Sequence, residues 1–204
     1  KGKAPIYCRT RKGKIPEENG FDDIILSSKS TSIAETINAN LLVSRHFPQY
    51  PVHIGMTEAG AIPEGLIKSA AGISLLLMQG IGDTLRISLS APASEEVRAG
   101  YALLRSLGLR KRGVEVISCP ACGRRRLDVS KLVEEIRPAL KDLPDGTVVA
   151  IMGCEVNGPR EAMDADIGVA GTPNGVVIFK KGEVVGHLGE EEMEKIGSLF
   201  KDML

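Results

Sequence analysis

Val52-His-Ile-Gly-Met-Thr-Glu-Ala-Gly60 is the stretch of this sequence that most clearly indicates its fold. Residues 52–55 are short and apolar, which predicts a buried strand, and the segment 57–60 that follows predicts a loop ending in glycine. A helix is expected next, with Pro63 near its first turn and its end near Met78. A strand, a loop and a helix in this order make one β/α unit.

Two similar units flank this one in the sequence. Residues 24–27 predict a strand, and Ser32-Ile-Ala-Glu35 is a capping box that opens a helix. Residues 85–89 predict the third strand, and Ser94 is expected to cap the helix after it. Three successive units imply parallel strands joined by helical crossovers. A closed barrel of this kind needs eight units and ~250 residues, so three units cannot close one.

The pattern changes near residue 112. The predicted elements beyond it are a strand at 114–118, a helix at 128–140, a strand at 147–152, a hairpin around Lys181-Gly182 and a helix at 190–204. We therefore predict an α/β protein with an unassigned segment at 1–20, a partial TIM-type barrel portion at 21–112 and a small α/β domain that binds a metal at 113–204.

Cysteines mark the second half of the chain. Cys119-Pro-Ala-Cys122 lies on one predicted loop, and Cys154 and Glu161 lie on another. Thiolates bind zinc, copper(I) or iron–sulfur clusters, and structural zinc commonly uses two local ligand pairs. Because a second pair is missing, the spacing favours a [4Fe–4S] cluster whose fourth iron takes an oxygen ligand. A redox dithiol, ordinary core thiols and a zinc site completed by Cys8 stay open as alternatives.

The Arg124-Arg125-Arg126 run follows the first pair of cysteines. Its positive charge could lower the pKa of the thiols, balance a negatively charged cluster or bind a diphosphate. A solvated loop is the simpler alternative.

Candidate catalytic and binding groups follow the strands of the first half, where α/β architectures place their sites. Lys29 follows the first strand and Glu58 follows the second. Arg86 and Ser88 lie within the third predicted strand, where a buried arginine would require a partner. A lysine, an arginine and a hydroxyl make an anion pocket. Glu58 is either a carboxylate near a helix or a general acid/base, and His53 is interpreted as structural.

Composition bounds the classes of partner. The 204 residues contain 26 basic and 26 acidic side chains, which argues against a general nucleic-acid surface or an anionic membrane surface. No apolar run reaches the roughly 18 residues that a membrane-spanning helix needs, and the first residues lack the apolar core of a signal peptide. We expect a soluble, cytoplasmic protein.

Four segments together resemble the 4-hydroxy-3-methylbut-2-enyl diphosphate synthases of the non-mevalonate isoprenoid pathway. These segments are His53-Ile-Gly-Met-Thr-Glu-Ala-Gly60, Gly80-Ile-Gly-Asp-Thr-Leu-Arg-Ile-Ser-Leu89, Ser118-Cys-Pro-Ala-Cys-Gly-Arg124 and Gly153-Cys-Glu-Val-Asn-Gly-Pro159. The resemblance covers about residues 15 to 204 and corresponds to the last barrel units and the cluster domain of that family. The first barrel strands of the family are absent, which predicts a truncated or divergent member.

The resemblance implies a set of site residues. It implies a [4Fe–4S] cluster ligated by Cys119, Cys122, Cys154 and Glu161. It implies Glu58 as the acid/base, with Lys29, Arg86, Ser88 and Asn157 binding the substrate. One departure is Arg160, where the family usually has glycine. A positive φ there would be unfavourable for an arginine.

The resemblance also implies a reaction and partners. The family reductively opens the ring of 2-C-methyl-D-erythritol 2,4-cyclodiphosphate and eliminates water, with two electrons from flavodoxin or ferredoxin. A homodimer is implied because the cluster domain of one subunit caps the barrel of its partner in that family. Two alternatives stay open, namely a non-catalytic iron–sulfur electron-transfer module and a zinc-binding interaction module.

Overall fold

The computed structural model of the protein describes residue 20 and residues 23–120, 122–156 and 158–204. The chain divides between Arg110 and Lys111 into two compact units, which we call the N-terminal unit and the C-terminal unit. Three earlier predictions lie outside the described residues. They concern the segment 1–20 apart from Gly20, the role of Cys8 and the role of Asn157.

Strands and helices alternate in the N-terminal unit. Their order is β1 (Leu26–Ser27), α1 (Ile33–His46), β2 (Val52–Gly55), α2 (Glu64–Leu77), β3 (Thr84–Arg86) and α3 (Ala93–Ser106). The strands form one parallel sheet in the order β1-β2-β3. The predicted parallel strands with helical crossovers are therefore confirmed in this unit.

The two predicted helix caps had different outcomes. Ser32 caps α1, where its Oγ accepts a hydrogen bond from the backbone N–H of Glu35 at 3.4 Å. The prediction that Ser94 caps α3 was wrong. This helix begins at Ala93, directly after Pro92, so Ser94 lies inside it, and no side chain caps it. Pro92 has a φ of −55°, and its ring fixes φ in the range that suits a helix start.

The third strand is shorter than predicted. It ends at Arg86, although the sequence pattern suggested residues 85–89. The backbone N–H of Leu89 donates to the Glu96 carboxylate at 2.8 Å, and that of Ser90 donates to the Gly60 carbonyl at 3.0 Å. Because these donors bond to a side chain and a loop, they are not available to extend the strand.

The two faces of this sheet differ in chemistry. Val52 and Ile54 on β2 are buried against apolar side chains of α1 and α2. Successive strand residues point to opposite faces, so His53 lies on the other side. The sheet register aligns His53 with Ser27 on β1 and with Thr84 on β3. This second face is therefore polar at the height of His53.

The C-terminal unit is built on a five-stranded sheet. Its elements are β4 (Glu115–Ser118), α4 (Val129–Leu140), β5 (Val148–Met152), α5 (Gly158–Glu161), β6 (Ile167–Thr172), β7 (Gly175–Lys180), β8 (Glu183–Gly189), a 3₁₀ helix (Glu190–Lys195) and α6 (Ile196–Met203). The strand order is β4-β5-β6-β7-β8. Strands β4, β5 and β6 are parallel, and β7 and β8 are antiparallel to their preceding neighbours.

Side chains on both faces of this sheet are buried. Val149 and Ile151 on β5 pack with α4 and α6 on one face, while Ala150 and Met152 pack with Phe179 on the other. The hairpin predicted around Lys181-Gly182 joins β7 and β8, and both turn residues have positive φ, as a tight hairpin turn requires.

The last helix does not begin where it was predicted. Residues 190–195 form a 3₁₀ helix, and the α-helix starts at Ile196. Glu190 and Glu194 would be like-charged neighbours one turn apart in an α-helix, and such pairs are destabilising. None of the helices in the described ranges is both long enough and apolar enough to cross a membrane.

Candidate functional site

Parallel pairing brings the two cysteine loops to one edge of the C-terminal sheet. Cys119 directly follows β4, and Cys154 lies two residues beyond β5. The two strands are neighbours, with Ser118 opposite Ile151. Because the carboxyl ends of parallel strands meet at the same edge, segments far apart in sequence become adjacent there.

The four predicted ligands line one cavity of this unit. Its volume is ≈ 160 Å³, several times the space that one water molecule requires. Three thiols and one carboxyl group contribute to its wall, together with neighbouring residues of the same two loops. The lining residues are Cys119, Pro120, Cys122, Arg124, Met152, Gly153, Cys154, Gly158 and Glu161.

The three cysteines of the cavity are free thiols, and they differ in solvent exposure. Cys154 is buried, Cys119 is half-buried and Cys122 is exposed. The backbone N–H of Gly153 donates to Cys119 Sγ at 3.0 Å, and this hydrogen bond helps to fix the position of the sulfur in the cavity wall. The Gly153 carbonyl accepts from the N–H of Arg126 at 2.7 Å, so Gly153 ties the two loops together at both of its polar groups.

Glu161 reaches the cavity from the short helix α5. The N–H of Gly158 donates to the Cys154 carbonyl at 3.1 Å, which connects this helix to the cysteine before it. Arg160 is exposed in α5, and the non-glycine residues with positive φ in the described ranges are Glu58 and Lys181. The unfavourable φ considered for Arg160 therefore does not occur.

The donor set of this cavity fits a polynuclear cluster. Sulfur ligands select soft metal centres, and each ligand of a cubane cluster binds a different iron, so the ligands surround a volume rather than a point. Among the described side chains, no three His, Cys, Asp or Glu residues are grouped so that they could hold a metal ion. The observations that support a cofactor site are therefore the cavity itself and the four donor side chains that line it.

A cationic group of side chains lies on the polar face of the N-terminal sheet. Arg86 is exposed at the end of β3, and its Nε donates to Ser88 Oγ at 2.9 Å. Two expectations need correction here. Arg86 does not carry a buried charge, and Ser88 lies two residues beyond the strand rather than within it. The loop after β3 nevertheless keeps the Arg86 guanidinium within hydrogen-bond distance of the Ser88 hydroxyl.

Lys29 lies close to Arg86 across strand β2. A Cβ atom at Gly55 would be 3.5 Å from Lys29 Cε and 2.7 Å from the Arg86 carbonyl oxygen, so glycine gives both residues room. Partial burial lowers the pKa of Lys29, and repulsion from Arg86 lowers it further. The charge of Arg86 thus acts on Lys29, and an anion would stabilise two such positive groups.

His53 lies on this same polar face, a placement that was not used when the residue was interpreted from the sequence as structural. It is half-buried, and its Nδ1 lies 2.8 Å from Thr84 Oγ1 on the neighbouring strand. Burial lowers its pKa, as do the charges of Lys29 and Arg86. The sequence signal was its position two residues before Gly55, which places both residues on one face of the strand.

Glu58 lies in the loop after β2 with an unusual backbone. It is exposed, and its φ of 50° is in the left-handed region that residues with side chains rarely occupy. The preceding Thr57 donates its N–H to the Ser30 carbonyl at 3.2 Å, which ties this loop to the segment after β1. Strain of this kind occurs mainly at functional positions.

Glu58→Asn should stabilise the N-terminal unit while removing the carboxylate. Asparagine tolerates left-handed backbone, whereas other residues with side chains lose about 1–2 kcal/mol there. We expect the free energy of unfolding in urea to rise by up to about 1 kcal/mol. The matched control is Glu64→Asn in α2, where φ is ordinary and no gain is expected. Equal effects of the two substitutions would contradict a strained Glu58.

Comparison with known proteins adds a second line of information. The family model described as the GcpE TIM-barrel domain matches residues 4–101, and the model described as the GcpE protein C-terminal domain matches residues 115–201. The two matches together cover most of the chain.

Curated relatives carry one shared name, 4-hydroxy-3-methylbut-2-en-1-yl diphosphate synthase (flavodoxin). The relative from Caldanaerobacter subterraneus subsp. tengcongensis is 47% identical over 204 residues, which covers 98% of this chain and 57% of the relative. The relative from Clostridium tetani is 49% identical over 190 residues, covering 93% of this chain and 54% of the relative. The chain thus spans about half the length of the curated relatives it matches.

Proposed function

Because the chain belongs to the GcpE family, we propose that it forms the C-terminal part of a 4-hydroxy-3-methylbut-2-enyl diphosphate synthase. The proposed reaction opens the ring of 2-C-methyl-D-erythritol 2,4-cyclodiphosphate. It consumes two electrons and two protons, and it releases 4-hydroxy-3-methylbut-2-enyl diphosphate and water. The observation that carries this proposal is the single cavity lined by three cysteines and Glu161.

We assign residues 21–112 to an incomplete TIM-type barrel and residues 113–204 to a cluster-binding domain. In the second domain, Cys119, Cys122, Cys154 and Glu161 would hold a [4Fe–4S] cluster. Such a cluster supplies single electrons and a Lewis-acidic iron when it is bound. The chain contributes the orientation of its ligands. Gly153 directs an N–H to Cys119 Sγ, and α5 carries the Glu161 carboxylate to the cavity.

The N-terminal unit would bind the diphosphate of the substrate. Lys29 and Arg86 would neutralise phosphate charge, and Ser88, which already accepts from Arg86, would add a hydroxyl. Glu58 would act as the acid/base near the leaving oxygen, since its exposed carboxylate lies in the loop after β2. Asn157, which lies outside the described residues, is proposed to line the cluster side of the substrate site.

The proposed partners are an electron donor and a second copy of the chain. Arg124, Arg125 and Arg126 are exposed, and within the described residues none of them forms a salt bridge. Arg124 also lines the cysteine cavity. A local positive surface attracts an acidic partner, so we propose that flavodoxin or ferredoxin docks beside these arginines. A homodimer is proposed from the family resemblance and is tested by light scattering.

Charge reversal tests the docking of the donor. Arg125→Glu combined with Arg126→Glu should weaken flavodoxin binding several-fold at low ionic strength, and high salt should remove most of the difference. Lys141→Glu is the matched control. Lys141 follows the end of α4, about 18 Å along the helix from the arginine loop. Equal losses at both positions would contradict docking at the arginines.

Spectroscopy of the anaerobically reconstituted chain separates the three functional hypotheses. A reduced cluster whose paramagnetic resonance spectrum changes when the cyclic diphosphate is added supports the synthase proposal. A reducible cluster that does not respond to the diphosphate would favour an electron-transfer module. Bound zinc without sulfide would favour an interaction module. Each outcome excludes the other two.

A further inference from the structure

His53 is held in place by both neighbouring strands. Its Nδ1 lies 2.8 Å from Thr84 Oγ1 on β3, and its carbonyl oxygen accepts from Ser27 Oγ on β1 at 3.0 Å. The register puts these residues side by side, with Ser27 and Thr84 on either side of His53. The imidazole therefore has a defined position on the polar face of the sheet.

The ring differs from a core histidine that only fills space. It is half-buried on a polar face, and within the described residues the Thr84 contact is its hydrogen bond. No described residue is seen to bond to its other ring nitrogen, Nε2, and this atom is the one proposed to face a ligand. His53 is in β2, the middle strand of the sheet. Lys29 follows the outer strand β1, and Arg86 ends the outer strand β3.

The charges around His53 come from both sides. Lys29, beyond β1, and Arg86, on β3, are the charged groups of the described residues that act on the ring. Burial is the largest cause that lowers the pKa of His53, and the charges of Lys29 and Arg86 lower it further. The free protein should therefore hold a neutral imidazole at neutral pH, because a third positive charge is unfavourable there.

Binding of a diphosphate would reverse the preference of His53 for the neutral imidazole. The anion neutralises the two cations and places negative charge near the ring, which favours imidazolium. We propose that His53 is a positioning residue of the anion pocket that stays neutral when the pocket is empty and takes up one proton from solvent when a diphosphate binds. This proposal rests on the proposed function, because it assumes that Lys29 and Arg86 bind a diphosphate.

Such a residue would have a distinct consequence for binding. Protonation adds a donor and a positive charge to the pocket only when the ligand is present, so the empty pocket avoids the repulsion of three cations. Affinity for the diphosphate would fall as pH rises through the pKa of His53 in the complex. The ratio of the wild-type affinity to the affinity of a variant without this titration would change by at most about tenfold per pH unit.

Calorimetry with inorganic pyrophosphate tests the proposal on the full chain. Titrations near pH 7 in two buffers with different ionisation enthalpies measure the protons taken up on binding. We expect wild type to take up more protons than His53→Asn, and the protons that pyrophosphate itself gains or loses on binding cancel in this difference. Asparagine retains a polar atom near the position of Nδ1 for Thr84 but does not titrate, so pyrophosphate should still bind at higher pH.

The two other histidines of the chain provide the controls. His46 and His187 are exposed, and His46→Asn and His187→Asn should both retain wild-type proton uptake. Unfolding curves of His53→Asn that match wild type would confirm that it folds. Equal proton uptake by wild type and His53→Asn would overturn the proposal.

The outcome separates this inference from the proposed function. Failure of pyrophosphate to bind would overturn both the role of His53 and the phosphate role of Lys29 and Arg86. Binding with equal proton uptake by wild type and His53→Asn would overturn only the role of His53. Cluster loading of the C-terminal unit is measured independently and is expected to be the same in wild type and His53→Asn.

Discussion

Cys154→Ser is expected to abolish cluster loading of this chain. Serine has nearly the size of cysteine, but its hydroxyl is a poor ligand for iron compared with a thiolate. Cys154 is 8% exposed and lines the cavity with the other predicted ligands, so no external thiol can easily replace it. We expect iron and acid-labile sulfide to fall from about four of each per chain to less than about one.

Two further substitutions show whether the loss is specific. Cys8→Ser should leave metal content unchanged, because Cys8 is not among the proposed ligands. Glu161→Gln should disturb the cluster, since it replaces a carboxylate ligand by a neutral amide of the same size. The opposite pattern, with metal lost from Cys8→Ser and retained in Glu161→Gln, would contradict the ligand assignment and favour a zinc site.

Gly171→Ala, in strand β6, is expected to disrupt the cysteine cavity. Gly171 lies in β6, and its carbonyl accepts from the Glu155 N–H at 2.9 Å. An added Cβ would be 2.7 Å from Leu127 Cβ and 2.8 Å from the Gly153 carbonyl oxygen. Both contacts are too short, and the second involves backbone that cannot easily move. The methyl group would therefore push apart the two loops that carry the cysteines.

The expected cost of this substitution is about 1–3 kcal/mol in the free energy of unfolding, as for other overpacked sites. Loss of most bound iron should accompany it. Gly123→Ala is the matched control, because it lies in the same cysteine loop and a Cβ there would meet nothing within 4 Å. Urea unfolding and iron content are measured for both variants. Similar behaviour of the two would contradict the close packing of the loops against β6.

Local patterns were sufficient to predict much of the fold. The apolar segment now seen as β2 and the cap at Ser32 depend on neighbouring residues, and both were predicted correctly. The second half of the capping box is not formed, because the N–H of Ser32 donates to Ser30 Oγ and the Glu35 carboxylate accepts from the Ser30 hydroxyl. The end of β3 was not, because it depends on a hydrogen bond between Leu89 and the Glu96 carboxylate of a later helix. The start of α3 was missed because a proline replaced the side-chain cap that the pattern suggested.

The candidate sites show the same division. The cysteines were proposed as ligands from their spacing and soft ligand chemistry, whereas the cavity they share arises from the pairing of β4 with β5. His53 was interpreted from the sequence as structural. The charges that act on it come from Lys29 and Arg86, which are distant in sequence and adjacent only through the sheet. Sequence alone carries no direct record of such tertiary electrostatics.

The cysteine cavity of the C-terminal unit is proposed to hold a [4Fe–4S] cluster. The most direct test is the content of iron, acid-labile sulfide and zinc in the anaerobically purified wild-type chain. We expect about four iron and four sulfide per chain, with little zinc. One zinc per chain without sulfide would contradict the claim and would leave a structural metal module in its place.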